Sequence, residues 1–213
     1  MDIPARCRDA GGYLIRQHLM TDIPYGCRTV AKKGCGFMAV YNAARYFAQP
    51  VTETEVWQFF HDHVFLRGIM GTGIGDICRG VYRFGMKVTG LRYRDLKRAK
   101  AGILWYHTGR SRHYVLVRRC DDGRYAFPNS SAPEPMFFPD FYNKYVKHLR
   151  LKSLHMDLPI MFTLTLERRK CANAGLPEEI TGRQPCTAKP LPGGKCRCRI
   201  PERETISSRW QML

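Results

Sequence analysis

The sequence predicts an α+β domain in which helices come first and antiparallel strands follow. Three observations carry this. Between residues 35 and 85 apolar side chains recur at helical spacing. Beyond residue 102 they gather instead in short β-rich runs. Two of those runs, Tyr114–Val117 and Tyr125–Phe127, are joined by Asp121-Asp122-Gly123, and Asp-Gly between such runs is a strong hairpin signal. Helices followed by strands that can pair locally give an α+β arrangement, with the first helix packed on a C-terminal antiparallel sheet.

The elements follow in order. Residues 35–48 read as an amphipathic helix, because Phe37, Val40, Tyr41, Ala44 and Phe47 fall on one face. Gly34 and Gly36 bracket its start, and Gln49-Pro50 stops it. A second helix opens at Thr52, which has capping-box spacing to Glu55, and runs through Val56, Phe59 and Phe60. A third spans residues 75–85, with Ile77, Val81 and Phe84 on one side. Gly102–Tyr106, Tyr114–Val117 and Tyr125–Phe127 are strands. Asp140–Leu149 returns to helical spacing, with Phe141, Tyr145 and Leu149 inward, and Ile160–Leu166 is a closing strand. No internal repeat is visible.

A chain of 213 residues, 44% hydrophobic and 12% aromatic, has material for a real core and is not a disordered chain. Its longest apolar runs, such as Ile160–Leu164, are far too short to span a bilayer. The opening MDIPARCRDAGG lacks the basic-then-apolar pattern of a signal peptide, so a cytoplasmic protein with no membrane partner is expected. Composition changes near Lys170. Residues 1–170 read as one domain; residues 171–213 carry five prolines and a Gly193-Gly194 pair without hydrophobic period, which predicts a mobile tail.

Two numbers need explaining: a net charge of +17 and nine cysteines. The densest basic stretch, Arg79–Arg119, holds 12 basic residues and one acid, Asp95. Such a field attracts acidic peptides or nucleic acid, though no RNP aromatic pair, GXXG clamp or finger spacing is present. An odd cysteine count in an unsecreted chain argues for free thiols, one of them reactive. The tail thiols Cys171, Cys186, Cys196 and Cys198 include no C-x-x-C pair, so no metal site and no cofactor is expected.

One cysteine stands apart. Cys35, in KKGCGFMAVYNAARYF, opens the first strong helix, where unpaired backbone N–H groups and the positive end of the macrodipole favour thiolate. Lys32 and Lys33 add positive potential, and the flanking glycines let another backbone approach closely. A thiolate nucleophile needs a proton shuttle. His61 and His63 sit near a helix end, His107 in a polar turn, and His148 and His155 late in a basic stretch. His113 opens the strand HYVLVRR, and Asn129 follows just after the next strand. Pairing of those strands brings Asn129 back beside His113, so that it holds one imidazole nitrogen while the other faces Cys35.

These residues resemble the papain-like cysteine peptidase superfamily, in particular the bacterial bacteriocin-processing (double-glycine-leader) type and its stand-alone relatives. The resemblance covers roughly residues 22–165: the Ile23–Tyr25 segment, the GCGFMAVYNAARYF helix, GTGIGDICRGVYRFGMKV at 71–88, and GILWYHTGRSRHYVLVRRCDDGRYAFPN at 102–129. It implies a papain-like fold with Cys35 as nucleophile, His113 as general base and acid, and Asn129 as the orienting residue. It implies a thiol-dependent hydrolase, a peptidase or amidase, that works through a thioester on a peptide or amide substrate; the basic stretch around His113 predicts that this substrate is acidic. The chain departs from the pattern: Asn129 stands where that subgroup commonly has Asp, a variation the wider superfamily accepts, and the upstream amide is missing. Such peptidases usually carry a Gln a few residues before the cysteine to complete the oxyanion hole, yet none lies between Tyr25 and Cys35. Gln17 stands 18 residues upstream, and the sequence leaves open whether it folds back. Two other readings stay open: an acyltransferase using the same three residues, and a non-catalytic basic binding module on an inactive scaffold.

Overall fold

The computed structural model describes residues 1–91, 96, 99–108, 111–132, 134–147 and 159–166. The chain divides after Lys170, and the expected tail with its four cysteines lies outside the described residues.

The architecture is mixed α+β. A short hairpin of β1 (Pro24–Tyr25) and β2 (Arg28–Thr29) leads into a single turn, α1 (Val30–Lys33), and then into α2 (Cys35–Tyr46). Two further helices follow, α3 (Glu53–His63) and α4 (Ile74–Arg83), and they pack on α2 and on each other. The strands β3 (Met86–Gly90), β4 (Ala101–His107), β5 (Arg112–Arg119), β6 (Tyr125–Ala126) and β7 (Ile160–Leu166) form one antiparallel sheet in the order β3-β7-β4-β5-β6. The helix that Cys35 opens, α2, lies against β5 and β4, as expected.

The run from Gly36 to Ala44 is buried on every side, so α2 is a central helix whose polar flank is also enclosed. The capping box of α3 is formed in full: Thr52 Oγ1 accepts from the Glu55 N–H at 3.2 Å, and the Glu55 carboxylate accepts from the Thr52 N–H at 2.7 Å. Thr52→Ala is expected to lower stability by about 1 kcal/mol, read as a drop in the thermal midpoint; an unchanged midpoint would contradict the cap's role.

The sheet explains why the strands read as unbroken apolar runs. Ile103, Tyr114, Leu116 and Phe162 face the core under α2, while Leu104, Val115, Val117 and Met161 face a second core with Phe138, Phe141 and Val146. Both faces are covered, so the period-2 alternation vanishes into continuous hydrophobicity.

Ile160–Leu166 is a strand, as expected, and sits between β3 and β4, antiparallel to both. One edge of the sheet is β3, a strand with a bulge near Val88 that the sequence pattern does not assign. The helix expected over 140–149 is instead one α-turn, α5 (Phe138–Phe141), followed by a π-turn over Tyr142–Lys147; Phe141 is buried and Tyr145 half-buried, and Leu149 lies outside the described residues. No described helix is long and apolar enough to cross a membrane.

The first 23 residues have little regular structure and are held by side chains. Asn42, fully buried on α2, accepts from the Leu14 N–H at 2.7 Å and donates to the Leu14 carbonyl at 2.9 Å. Arg8 grips the Glu53 carboxylate through two contacts of 2.8 Å. These tethers bring Gln17 alongside α1.

Candidate active site

Cys35 is the first residue of α2, and the geometry begins with the two glycines beside it. Gly34 lets α1 close onto the next helix: its N–H donates to the Val30 carbonyl at 2.8 Å, and a Cβ there would lie 2.8 Å from the Val30 Cα. A Cβ on Gly36 would lie 2.4 Å from Thr72 Oγ1. The expectation that these glycines leave room for a foreign backbone is therefore corrected, because the protein itself occupies both spaces. Thr72 in turn hydrogen-bonds the buried Tyr25 hydroxyl at 2.6 Å. The Ile23–Tyr25, GCG and Gly71-Thr72-Gly73 segments thus meet beneath the cysteine. Gly36→Ala is expected to cost about 1–3 kcal/mol by overpacking, although a helical Gly→Ala change usually stabilises. A urea midpoint that rises in this variant would refute the contact.

The structure brings Cys35 and His113 together. Burial raises the Cys35 thiol, but the hydrogen bond and charge of His113, with the N–H groups of Tyr114 and Gly36, outweigh it and hold the thiol below its ordinary range. His113 shows the converse: burial lowers it, and the bond and charge of Cys35 and the carbonyl of Asn129 raise it above the usual imidazole value. The pair therefore favours thiolate and imidazolium. His113 lies near the start of β5, half-buried, with its ring edge-on to Tyr106 at 5.9 Å. Burial also raises the Tyr106 and Tyr114 hydroxyls, as does the thiolate charge, so both phenols stay protonated.

Asn129 reaches the histidine by a different atom from the one expected. His113 Nε2 lies 2.7 Å from the Asn129 backbone carbonyl, which leaves Nδ1 for the thiol. The Asn129 side chain turns the other way, to Gln17: its Nδ2 donates to Gln17 Oε1 at 3.1 Å, and its Oδ1 accepts from the Gln17 N–H at 3.1 Å. Asn129 follows Pro128 in a turn closed by the Ser130 N–H on the Phe127 carbonyl, and its φ of 64° is a left-handed value that Asn tolerates better than most residues. Gln17 folds back, then, and becomes a neighbour of the site. No local pattern marks it; its place depends on the long-range tether at Asn42.

A cleft of about 1280 Å³ runs past Cys35 and His113. Trp105, Tyr106 and Tyr114 line it, though the two tyrosines are almost wholly buried. Its cations are Arg16, Lys32, Lys33, Arg112 and Arg118, against the acids Asp9 and Glu134. Only part of the basic stretch reaches the cleft: Arg112 and Arg118 do, Arg79 pairs with Asp76, and Arg92, Arg94 and Arg110 lie outside the described residues. The Arg118 Nε is buried without a hydrogen-bond partner among the described residues, and its guanidinium rests 4.8 Å over the Tyr13 ring. The other histidines differ in setting. His61 accepts from the Gly26 N–H at 3.2 Å and stacks on Trp57, His63 contacts the Phe59 carbonyl, and His107 lines the cleft. Cys7, Cys27, Cys35, Cys78 and Cys120 are free thiols, and no three metal-ligating side chains cluster among the described residues.

Fold and site together define an α+β domain with a cysteine–histidine pair at the start of its central helix. No family model matches the chain, and no curated protein matches it. Among solved structures, the chain is similar to a double-glycine-motif protease from an AMS/PCAT transporter, crystallised with its leader peptide. The identity is 13% over 67% of this chain and 91% of that chain, with a TM-score of 0.41.

Proposed function

We propose that the protein is a thiol-dependent hydrolase of papain-like type, a cysteine peptidase or amidase, in which Cys35 is the nucleophile, His113 the base and acid, and Asn129 the orienting residue. The observation that carries this reading is Cys35 at the N-terminus of α2 sharing one cleft with His113, each holding the other's charged form, with the thiol depressed and the imidazole raised. The thiolate attacks the substrate carbonyl carbon, forming the C–S bond and moving the π pair onto oxygen, where the Cys35 backbone N–H receives it. Collapse breaks the C–N bond as imidazolium protonates the leaving amine. His113 then takes a proton from water, which attacks the thioester carbon; the C–S bond breaks to give back the thiolate, and the acid product loses its proton to solvent as carboxylate. The Gln17 amide is committed to the Val30 and Ala31 carbonyls at 2.8 and 3.3 Å, so it does not fill the usual place of an oxyanion glutamine. A missing donor of that kind costs roughly 10²–10³ in rate. The excess of cations in the cleft supports an acidic peptide as substrate.

Brief alkylation with iodoacetamide near pH 6, followed by peptide mapping, tests the reading. Cys35 is expected to react first, ahead of the exposed Cys27, because at that pH only a depressed thiol is appreciably ionised. Labelling of Cys27 and Cys35 at equal rates would overturn it.

A further inference from the structure

The Gln17 side chain uses both ends at once. Its Nε2 donates to the Val30 and Ala31 carbonyls at 2.8 and 3.3 Å, in the single turn that delivers Cys35. Its Oε1 accepts from Asn129 Nδ2, and its backbone N–H donates to Asn129 Oδ1, both at 3.1 Å. Asn129 therefore turns both ends of its amide to Gln17, and its backbone carbonyl, not its side chain, meets His113 Nε2 at 2.7 Å. That carbonyl points at the ring only because Asn129 is held in a left-handed turn, with φ of 64°.

We propose that Gln17 is a positioning residue: it clamps the turn that delivers Cys35 to the turn that aims the Asn129 carbonyl, and so fixes the His113 ring with Nδ1 toward the thiol. The clamp goes beyond the hydrolase reading and rests on it, since it orients the same thiol–imidazole pair. A carbonyl can only accept, so in this contact Nε2 carries the hydrogen, which sets the tautomer and leaves Nδ1 to take the thiol proton. Gln17 itself touches neither reacting group. An oxyanion role requires the amide nitrogen to face the reacting carbonyl, whereas here it donates to the Val30 and Ala31 carbonyls. The arrangement replaces a side-chain orienter by a backbone one and needs a second amide to hold that backbone still.

The pH profile of Cys35 alkylation by iodoacetamide tests the clamp in the full-length protein. It is measured for the wild type, Gln17→Ala and Asn129→Gly. Glycine accepts the left-handed turn and keeps the carbonyl while removing the amide, so it unlatches without imposing backbone strain. The other charged and titratable groups that line the cleft, Asp9, Arg16, His18, Lys32, Lys33, Tyr106, His107, Arg112, Tyr114, Arg118 and Glu134, are unchanged in both variants. Both are expected to move the acid limb upward by about one pH unit, a tenfold slower reaction near pH 6, while the alkaline plateau stays at the wild-type rate. An intact plateau reports a folded protein, which a merely structural loss would not preserve; if Gln17→Ala does not fold, Asn129→Gly decides alone. Wild-type profiles in both variants overturn the clamp and leave the hydrolase standing. A shift in Gln17→Ala without one in Asn129→Gly also overturns it, because the effect would then pass through Val30 and Ala31. An ordinary thiol profile in the wild type defeats the hydrolase reading itself, and the clamp with it.

Discussion

Cys35→Ala is expected to cut turnover of a quenched-fluorescent peptide library by about 10⁶ while leaving the fold intact, the loss seen when a nucleophile is removed from a well-ordered hydrolytic site. Cys35 is only half-buried at the first turn of α2, and the spaces around it are filled by Gly34 and Gly36 contacts that the substitution does not touch. The remaining cleft still binds, so the change appears in kcat and not in KM. Cys35→Ala also separates the competing classes. A hydrolase and an acyltransferase both lose their thioester, whereas a basic binding module keeps its affinity for an acidic ligand. Turnover within tenfold of the wild type, with the same products, would remove Cys35 from the chemistry.

His113→Ala is expected to slow alkylation of Cys35 near pH 6 by at least tenfold and to leave the rate near pH 10 almost unchanged. The sign follows from the pair. With His113 present, the thiol is held low and the imidazole high, so the reactive ion pair spans the interval between the two and the pair titrates as a unit. Reactivity therefore appears as pH rises through the depressed thiol value. Catalysis, which also needs the imidazolium proton, fades as pH rises through the elevated histidine value. Removing the ring deletes the largest stabilisation of the thiolate and leaves burial opposed only by the Tyr114 and Gly36 N–H groups. The thiol then moves toward or beyond its ordinary value, where little is ionised at pH 6. The same rate at pH 6 with and without His113 would show that the helix terminus alone activates the cysteine.

Much of this architecture can be read from local patterns, for definite reasons. The α2 stripe, the Thr52–Glu55 cap and the Asp122-Gly123 turn each depend on residues within a few positions of one another. The structure places all three there: Gly123 takes a φ of 82°, and β5 and β6 pair across the turn through Arg118 with Ala126 and Arg119 with Tyr125. That pairing brings Asn129 to His113. The strand β3 escaped because it is a bulged edge whose outward positions, Lys87 and Thr89, dilute its apolar signal. The π-turn after Phe141 escaped because Tyr142–Lys147 has a helical composition and sequence does not encode the extra residue per turn. Within the site, the choice between the side chain and the carbonyl of Asn129 depends on Gln17, and Gln17 depends on Asn42 holding Leu14. Such a chain of long-range tethers has no local period. The glycines around Cys35 were legible as places of close approach, but what approaches, Val30 and Thr72, is a tertiary fact.

The partners that join Gln17 to Asn129 stand 112 positions apart, and that separation has a consequence in time. A ribosome adding roughly 5–20 residues per second takes on the order of 6–22 seconds to make that span. Once Cys35 has been made, 18 residues into that span, the strand carrying His113 and the turn carrying Asn129 are still to come. Without the imidazole its sulfur is an unremarkable thiol, slow toward carbonyls and toward electrophiles alike. On the proposed hydrolase reading the nascent chain is thus chemically silent beside its own freshly made peptide bonds, and the thiol–imidazole pair is complete only as the sheet assembles. Delay is built into the order of the polypeptide.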